Sequence, residues 1–566
     1  MTGKIWIAPP VSHAAVEAGS GFRVVDDVRA GMDLGSQSAL DAWLKPDLAK
    51  EVASLTIPGV DDVVLRIAEA IRDEARILIF GDYDCDGVTS TSILVSALRA
   101  AHASPEQVLW SLPTRSDGYG LQETYLGELI VTAPDLIIAV DCGSNDRAVI
   151  EQLLAAGIDV VVIDHHQINE DVSDLVPVAN PQRDDDEQAR YIVGAGMAWL
   201  VVRKLADAGA VPAEVPDGLL DLAAIGTIGD VGKLLGYNRA LVIAGGKKLR
   251  ECKRLGLKTL TRMMNLDPID LNAEAVSFRL VPKLNAPGRI YIADIVVDLL
   301  LTTSWDEAEV LAKQVLDADE SRRLAMDEAQ ARLLARYDDE TLIESVLICE
   351  DQAMSHGIAG PLASRLVERY RRPVVVLAGQ GEELSGSARS IGDWDIAGAL
   401  YGMPEGMLLR RGGHSKAAGL AVERSGLEAF RMAMIAAFAE SGIAVPLPAE
   451  MEASAYVDDD PLTLPVAQEL DKLGPFGSGN PRPTLQWNGV RASNVEPIGK
   501  DGNTLRMFLT RGTNRLLGVM FRAGDAGVIS NVHDGDLVDV LIQLTIERFK
   551  GQKQLKMFIR DIRPSV

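Results

Sequence analysis

Three apolar runs in the first third of the chain each end in carboxylates or imidazoles. Arg76 to Phe80 leads into Gly81-Asp82-Tyr83-Asp84-Cys85-Asp86-Gly87, Leu136 to Val140 into Asp141-Cys142-Gly143, and Val160 to Ile163 into Asp164-His165-His166. Short continuous apolar runs bounded by turn residues read as buried strands. In an open α/β sheet, ligands bind at the carboxyl ends of the strands. A lone Asp after a strand is ordinarily a helix cap. Three such endings in succession point instead to a site, and Asp oxygens with His nitrogens suit a hard-to-borderline divalent cation such as Mn²⁺ or Mg²⁺.

Between about 60 and 235, such strands alternate with helical stretches at Asp61–Ala75, Thr89–His102, Asp146–Ala156 and Ala195–Ala208, which predicts a mostly parallel, doubly wound sheet. The pattern then turns helical. Trp305 to Arg336 is one continuous amphipathic stretch of the kind that bridges lobes. A second α/β unit follows from Leu342, with strands at Ser345–Cys349 and Pro373–Leu377. Pro446-Leu447-Pro448 reads as a linker, and beyond it five or six short alternating segments predict a small β-barrel. The first 55 residues carry few signals and read as an N-terminal extension.

Four cysteines without a CxxC spacing suit a reduced, cytoplasmic protein. The opening Met1-Thr2-Gly3-Lys4 leads into no signal-peptide pattern, and no apolar run approaches the ~20 residues that span a membrane. The net charge of −25 argues against whole-surface binding of nucleic acid, though not against a basic groove in an acidic protein.

Asp82, Asp84 and Asp86 share one strand-end loop, where alternate residues face the same way. Asp141 comes from a neighbouring strand end, His165 offers a neutral nitrogen, and Asp230 adds a carboxylate from the Ile228-Gly229-Asp230 turn. Two ions ~3.5–4 Å apart in such a set would stabilise both the attacking and the leaving oxygen of a phosphoryl displacement. Elsewhere Arg289 can fork onto a phosphate. Ser387, Arg389 and Ser390 offer a second cup, Gly413 permits close backbone approach, and His414 can donate to an oxyanion. Tyr119, between two glycines and near Arg115, is placed to expose its ring to a base. Arg548-Phe549-Lys550 through Lys553 sets an aromatic among cations.

Taken together, GDYDCDGVTS at 81–90, VDCGSND at 140–146, IDHHQ at 163–167, TIGDVGKLLGYNR at 227–239, KLNAPGR at 283–289, SHGIAG at 355–360, SGSARSI at 385–391, GGHSKAAG at 412–419 and PFGSGNPRPTL at 475–485 resemble the DHH phosphoesterase superfamily. Within it they resemble the bacterial RecJ exonucleases. That resemblance implies a DHH catalytic domain over 56–240, a helical connector over 241–340, a DHH-associated substrate-binding domain over 341–445 and an OB-fold over 446–566. It implies that Asp84, Asp141, His165 and Asp230 are ligands, with Asp82 and Asp86 beside them, for two Mn²⁺ or Mg²⁺ ions. Asp164 would orient its neighbours and His166 would contact the scissile phosphate. Arg289, Ser387 and Arg389 would hold a 5′-terminal phosphate. The expected activity is hydrolysis of single-stranded DNA 5′→3′ to 5′-mononucleotides in recombination and repair, by a cytoplasmic monomer working with a single-strand-binding protein and a helicase. The alternatives are a phosphodiesterase of short oligonucleotides or cyclic dinucleotides, and a non-catalytic replication scaffold. After Asp230 the chain reads Val231-Gly232-Lys233 where relatives usually have Val-Val-Pro.

Overall fold

The structure, a computed structural model, describes residues 4–10, 19–101, 104–115, 118–337, 344–457, 461–499, 502–524, 527–549 and 551–565. The chain divides into two compact units, Leu48–Leu447 and Met1–Asp47 with Pro448–Val566.

In the larger unit, β1 (Ile77–Phe80), β2 (Val108–Ser111), β3 (Leu136–Val140), β4 (Asp159–Ile163) and β5 (Val178–Ala179) form a wholly parallel sheet in the order β2-β1-β3-β4-β5. The strands are apolar on both faces because both faces are covered. Ile79, Ile138 and Val161 lie in one core with α1 (Cys85–Ala101), α2 (Gly194–Asp207) and α3 (Leu220–Gly229), while Phe80, Ile137 and Val160 lie in another. The chain runs from β1 outward to β2 and then crosses back to β3 on the other side of β1. Strand order therefore reverses between β1 and β3, where a doubly wound sheet opens a crevice. Register sets Phe80 opposite Ala139 and Val140 opposite Ile163. Asp82, Asp141 and Asp164 thus leave three adjacent strand ends side by side.

The helix α4 (Trp305–Arg336) has 32 residues and starts at Ser304, whose side chain accepts from the Glu307 N–H. At 1.5 Å per residue it is about 48 Å long. Its first half buries Ala312 and Val315 in the first core, and its second half buries Met326, Ala329 and Leu333 in the core of a second sheet. That sheet is mixed. β6 (Leu347–Asp351) and β7 (Val374–Ala378) are parallel, β8 (Glu383–Arg389), β9 (Arg410–His414) and β10 (Ala417–Glu423) antiparallel, in the order β9-β10-β8-β7-β6. A helix over Ala359–Tyr370 packs on it.

In the smaller unit, β11 (Leu485–Ile498), β12 (Thr504–Arg511), β13 (Asn514–Met520), β14 (Leu537–Phe549) and β15 (Gln552–Pro564) close into a five-stranded barrel in the order β11-β12-β13-β15-β14 and back to β11. Three of these strands run 13 or 14 residues, longer than the alternating segments suggest. Bulges at Trp487/Val490 and Ser493/Glu496 bend β11 so that one strand serves two neighbours and breaks its own alternation. The Arg548–Lys553 stretch makes the turn between β14 and β15; Lys550 lies outside the described residues.

The described residues up to 47 do not stand apart as an extension. Helices over Arg23–Gly31 and Gln37–Leu44 bury Val24, Val25, Val28 and Leu40 in the barrel's core, Leu34 joins them from the segment between, and Ile5–Ile7 pairs with Glu450–Glu452. Residues 48–54 form a helix of the larger unit, with Val52 in its first core. Among the described residues no helix is long and apolar enough to cross a membrane.

Candidate active site

The turn after β1 is built by small residues. A Cβ on Gly81 would sit 2.0 Å from the Thr91 hydroxyl, and one on Gly87 2.4 Å from the Asp82 carbonyl. The turn therefore folds tightly onto the start of α1. Asp84 caps that helix by accepting from the Asp86 and Gly87 N–H groups at 2.9 and 3.1 Å, and the Asn285 side chain accepts from Cys85 N–H at 2.8 Å. Asp86 lies in the first turn of α1 rather than in the loop. Its two oxygens accept from Gly194 and Ala195 N–H at the start of α2, at 2.7 and 2.8 Å.

Asp141 leaves β3 with φ +61°, a left-handed conformation unusual outside glycine. The His165 Nε2 lies 3.0 Å from Asp141 Oδ1, 3.6 Å from Asp86 Oδ2 and 3.8 Å from Asp230 Oδ2. Asp230 stands at the C-terminal end of α3, not in a loop after a strand. Potential ligand atoms come within 4.8 Å of one another in three overlapping groups: Asp82-Asp84-Asp141, Asp86-His165-Asp230 and Asp141-His165-His166.

Crowding dominates the electrostatics. Burial and the neighbouring carboxylates push Asp86 and Asp141 well above the ordinary carboxyl range, and burial with Asp84 pushes Asp82 and Asp230 up to about 7. Burial and His166 push His165 down to about 3, so it is neutral. Asp82 Oδ1 and Asp141 Oδ1 are buried without a hydrogen-bond donor. A neutral imidazole nitrogen 3.0 Å from a carboxylate oxygen, beside orphaned acceptors, is an arrangement that a cation resolves. The donor set therefore fits divalent metal.

Asp164 behaves differently. Its Oδ1 accepts from the His165 N–H (2.7 Å), the His166 N–H (3.2 Å) and His166 Nδ1 (2.9 Å), and its Oδ2 from the Ser144 N–H (3.2 Å). Burial alone would raise Asp164 and lower His166, yet their mutual attraction lowers Asp164 and raises His166 to about 9. Tyr119, half-buried, places its hydroxyl 2.7 Å from His166 Nδ1 and 2.9 Å from the Asp141 carbonyl.

Beside this centre lies a cavity of about 260 Å³, bordered by Asp82, Asp84, Tyr119 and His166 on one wall and by Arg115, Arg289, Ser387 and Arg389 on the other. Arg115 donates to the Gly288 carbonyl at 3.2 Å and lies 4.2 Å over the Tyr83 ring. Arg289 donates to the Gly357 carbonyl at 3.0 Å, and burial with the charge of Arg115 lowers it to about 9. Burial likewise lowers Arg389. Gly360 is needed where the helix start meets Arg389, since a Cβ there would lie 2.8 Å from Nη2.

The sequence-based set thus converges on the carboxylate cluster and the cavity beside it except at three positions. Ser390 donates its hydroxyl to the Trp394 carbonyl at 2.5 Å and does not line the cavity. Gly413, φ +135°, also lies off the cavity; a Cβ there would lie 2.4 Å from the Ala417 carbonyl across the β9–β10 pair. His414 is not on the cavity wall but its ring lies 6.4 Å from that of His166. Sequence reasoning missed His356, Gly357 and Gly360 of the Ser355–Gly360 motif, which do line the cavity. It also missed the supports. Buried Asn180 donates to Ser144 Oγ (2.9 Å) and the His166 carbonyl (3.0 Å), and Gln182 to the His165 carbonyl (3.1 Å).

Comparison with known proteins matches residues 76–227 to the DHH family N-terminal domain, 341–440 to the DHHA1 domain and 454–561 to the RecJ OB domain. The single-stranded-DNA-specific exonuclease RecJ of Escherichia coli is 31% identical, over 90% of this chain and 91% of that protein. RecJ of Bacillus subtilis is also 31% identical, over 94% of this chain, which spans about two thirds (67%) of that protein's length. Among solved structures, Thermus thermophilus RecJ in complex with Mn²⁺ superposes with a TM-score of 0.83 at 27% identity, covering 99% of this chain and 80% of that one.

Proposed function

This chain belongs to the RecJ family of single-stranded-DNA-specific exonucleases, and we propose that it is itself a metal-dependent exonuclease that degrades single-stranded DNA from the 5′ end, releasing 5′-mononucleotides. The observation that carries this reading is the opposition, across one cavity of about 260 Å³, of an orphaned carboxylate–imidazole cluster and a cup of half-buried guanidiniums.

Asp82, Asp84, Asp86, Asp141, His165 and Asp230 would hold two Mn²⁺ or Mg²⁺ ions. When bound, these supply Lewis-acid stabilisation of the phosphate and an activated water. The remaining work falls to the chain's own groups. Asp164 accepts from three donors of the Asp164-His165-His166 run and so fixes the loop. His166, whose Nδ1 faces Asp164 and the Tyr119 hydroxyl, presents Nε2 to the phosphate as a donor and protonates the leaving oxygen. Arg289, Arg389 and Ser387 grip the terminal phosphate, with His356 and the N-terminus of the Ala359–Tyr370 helix beside them. A terminal phosphate carries more charge than an internal one, so the cup selects a chain end. Arg115 and His414 border the path of the strand, and the five-stranded barrel is of the class that holds single strands. Four free cysteines suit a cytoplasmic setting. A monomer partnered by a single-strand-binding protein and a helicase rests on family membership alone.

The test is an assay with Mn²⁺ on a 5′-phosphorylated single strand, the matching blunt duplex and a dinucleotide. Mononucleotide release from the single strand alone supports the reading. Preference for the dinucleotide would replace it with a short-oligonucleotide phosphodiesterase, and inactivity on all three with a scaffold.

A further inference from the structure

The tyrosine that the sequence offers to a DNA base is already engaged. The Tyr119 hydroxyl lies 2.9 Å from the main-chain oxygen of Asp141 and 2.7 Å from His166 Nδ1. A carbonyl oxygen can only accept, so the single phenolic proton goes to Asp141. The phenolic oxygen is then left to accept, and the proton between it and His166 belongs to Nδ1. That same Nδ1–H lies 2.9 Å from Asp164 Oδ1. Two acceptors on one side of the ring fix Nδ1 as the inward donor and leave Nε2 as the nitrogen directed away from them.

Both anchors of the hydroxyl are themselves immobilised. Asp141, at φ +61°, donates its N–H to the Ile163 carbonyl at 2.9 Å, which ties the residue whose carbonyl receives the phenol to the neighbouring strand end. Tyr119 lies between Gly118 at φ +107° and Gly120 at φ +84°. A Cβ on Gly120 would stand 2.6 Å from Asp146 Oδ2, the oxygen that accepts from the Leu121 N–H at 2.7 Å. The ring packs against the apolar cluster containing Phe80 and Leu121 and leans on the His166 ring at 4.8 Å.

We propose that Tyr119 is a positioning residue whose hydroxyl, anchored on the Asp141 main chain, aims His166 Nε2 at the scissile phosphate, and that it does not stack on DNA. The proposal rests on the exonuclease reading given above. It concerns one hydroxyl, so Tyr119→Phe isolates it while keeping the ring. With Mn²⁺ and a 5′-phosphorylated single strand, Tyr119→Phe should lower kcat roughly tenfold, as expected for loss of one hydrogen bond to a charged partner. KM should stay within about twofold and the melting midpoint within a degree or two. In a His166→Ala background the same change should cost less than about twofold. A stacking residue would behave oppositely: Tyr119→Phe would be silent and Tyr119→Leu would raise KM. Wild-type kcat in Tyr119→Phe, or a full tenfold loss persisting without His166, overturns the proposal. Inactive wild-type protein overturns the exonuclease reading instead. A readout independent of turnover separates the two. In the ¹⁵N-histidine spectrum of the metal-free protein, the His166 Nδ1 proton should exchange with water several-fold faster in Tyr119→Phe, and equal exchange rates also overturn the proposal.

Discussion

One wall of the cavity is an excess of negative charge and the other an excess of positive charge, and the chain stabilises them by opposite means. The carboxylates of Asp84, Asp86 and Asp164 are held by backbone N–H groups, at the starts of α1 and α2 and in the turns after β3 and β4. The guanidiniums of Arg115, Arg289 and Arg389 are held by the carbonyls of Gly288, Gly357 and Ala388. In each wall the main chain satisfies part of each side chain and leaves the rest unmet. Burial and like neighbouring charges raise Asp86, Asp141 and Asp230, and burial with the charge of Arg115 lowers Arg289 and Arg389. No ion pair joins the two walls among the described residues, although Arg115 lowers Asp82 and Asp84 raises Arg289 through space. Under the proposed function, cations would relieve the first and a phosphate the second. A binding site of this kind is stored strain in electrostatic form, and each wall can be interrogated separately.

The acidic wall should be the less forgiving. Asp141 belongs to two of the three potential ligand groups. Asp141→Ala should therefore reduce hydrolysis at saturating Mn²⁺ by a thousandfold or more, the scale of losing charge stabilisation at the reacting phosphate. Activity within tenfold of wild type would remove the carboxylates from the chemistry and dissolve the contrast.

The basic wall should set preference rather than rate. Arg389→Ala should erode the preference for a 5′-phosphorylated over a 5′-hydroxyl strand by roughly ten- to a hundredfold, one charged contact being worth about 1.5–3 kcal/mol. Metal affinity by calorimetry should not change. An unaltered preference would show that Arg389 does not read the end.

The smallest effect is on stability. Carboxyls whose folded pKa is raised stabilise the fold below their unfolded value near 4 and lose that contribution as pH rises through the folded value. Asp82 and Asp230, at about 7, and Asp86 and Asp141, also raised, make the metal-free protein weaker as pH climbs. His166, at about 9, loses its contribution between about 6.5 and 9 in the same direction, and His165, at about 3, opposes only below about 6.5. The melting midpoint without metal should thus fall by several degrees from pH 6.5 to 9, and Mn²⁺ should restore more at pH 9 than at 6.5. A flat metal-free profile would mean the acidic wall carries no such strain.

The acidic wall was legible in the sequence because strand ends are. Leu136 to Val140 and Trp305 to Arg336 are apolar or amphipathic over their full lengths, and their bounds emerge unchanged in the structure. Less was legible where one side chain meets a distant backbone. Asn285 caps a helix 200 positions away and Asn180 reaches back 36 to Ser144. Such bonds leave no periodicity. The hydrogen bonds of Tyr119 were hidden for a related reason. Flanking glycines signal an unusual backbone but not that its hydroxyl meets His166 and the Asp141 carbonyl. The helices before residue 47 escaped notice because their apolar partners lie more than 400 positions further on.

That last separation sets a timetable for biosynthesis. At 5–20 residues per second, a ribosome needs about 20–80 s to travel from the end of the first barrel-packing helices to the first barrel strand. The intervening 400 residues can complete their own two sheets in that interval. Val24, Val25 and Val28 meanwhile wait without the strands that will cover them. The barrel closes last, around a segment made first, so chaperone demand should concentrate on the amino-terminal helices while the catalytic half is already finished.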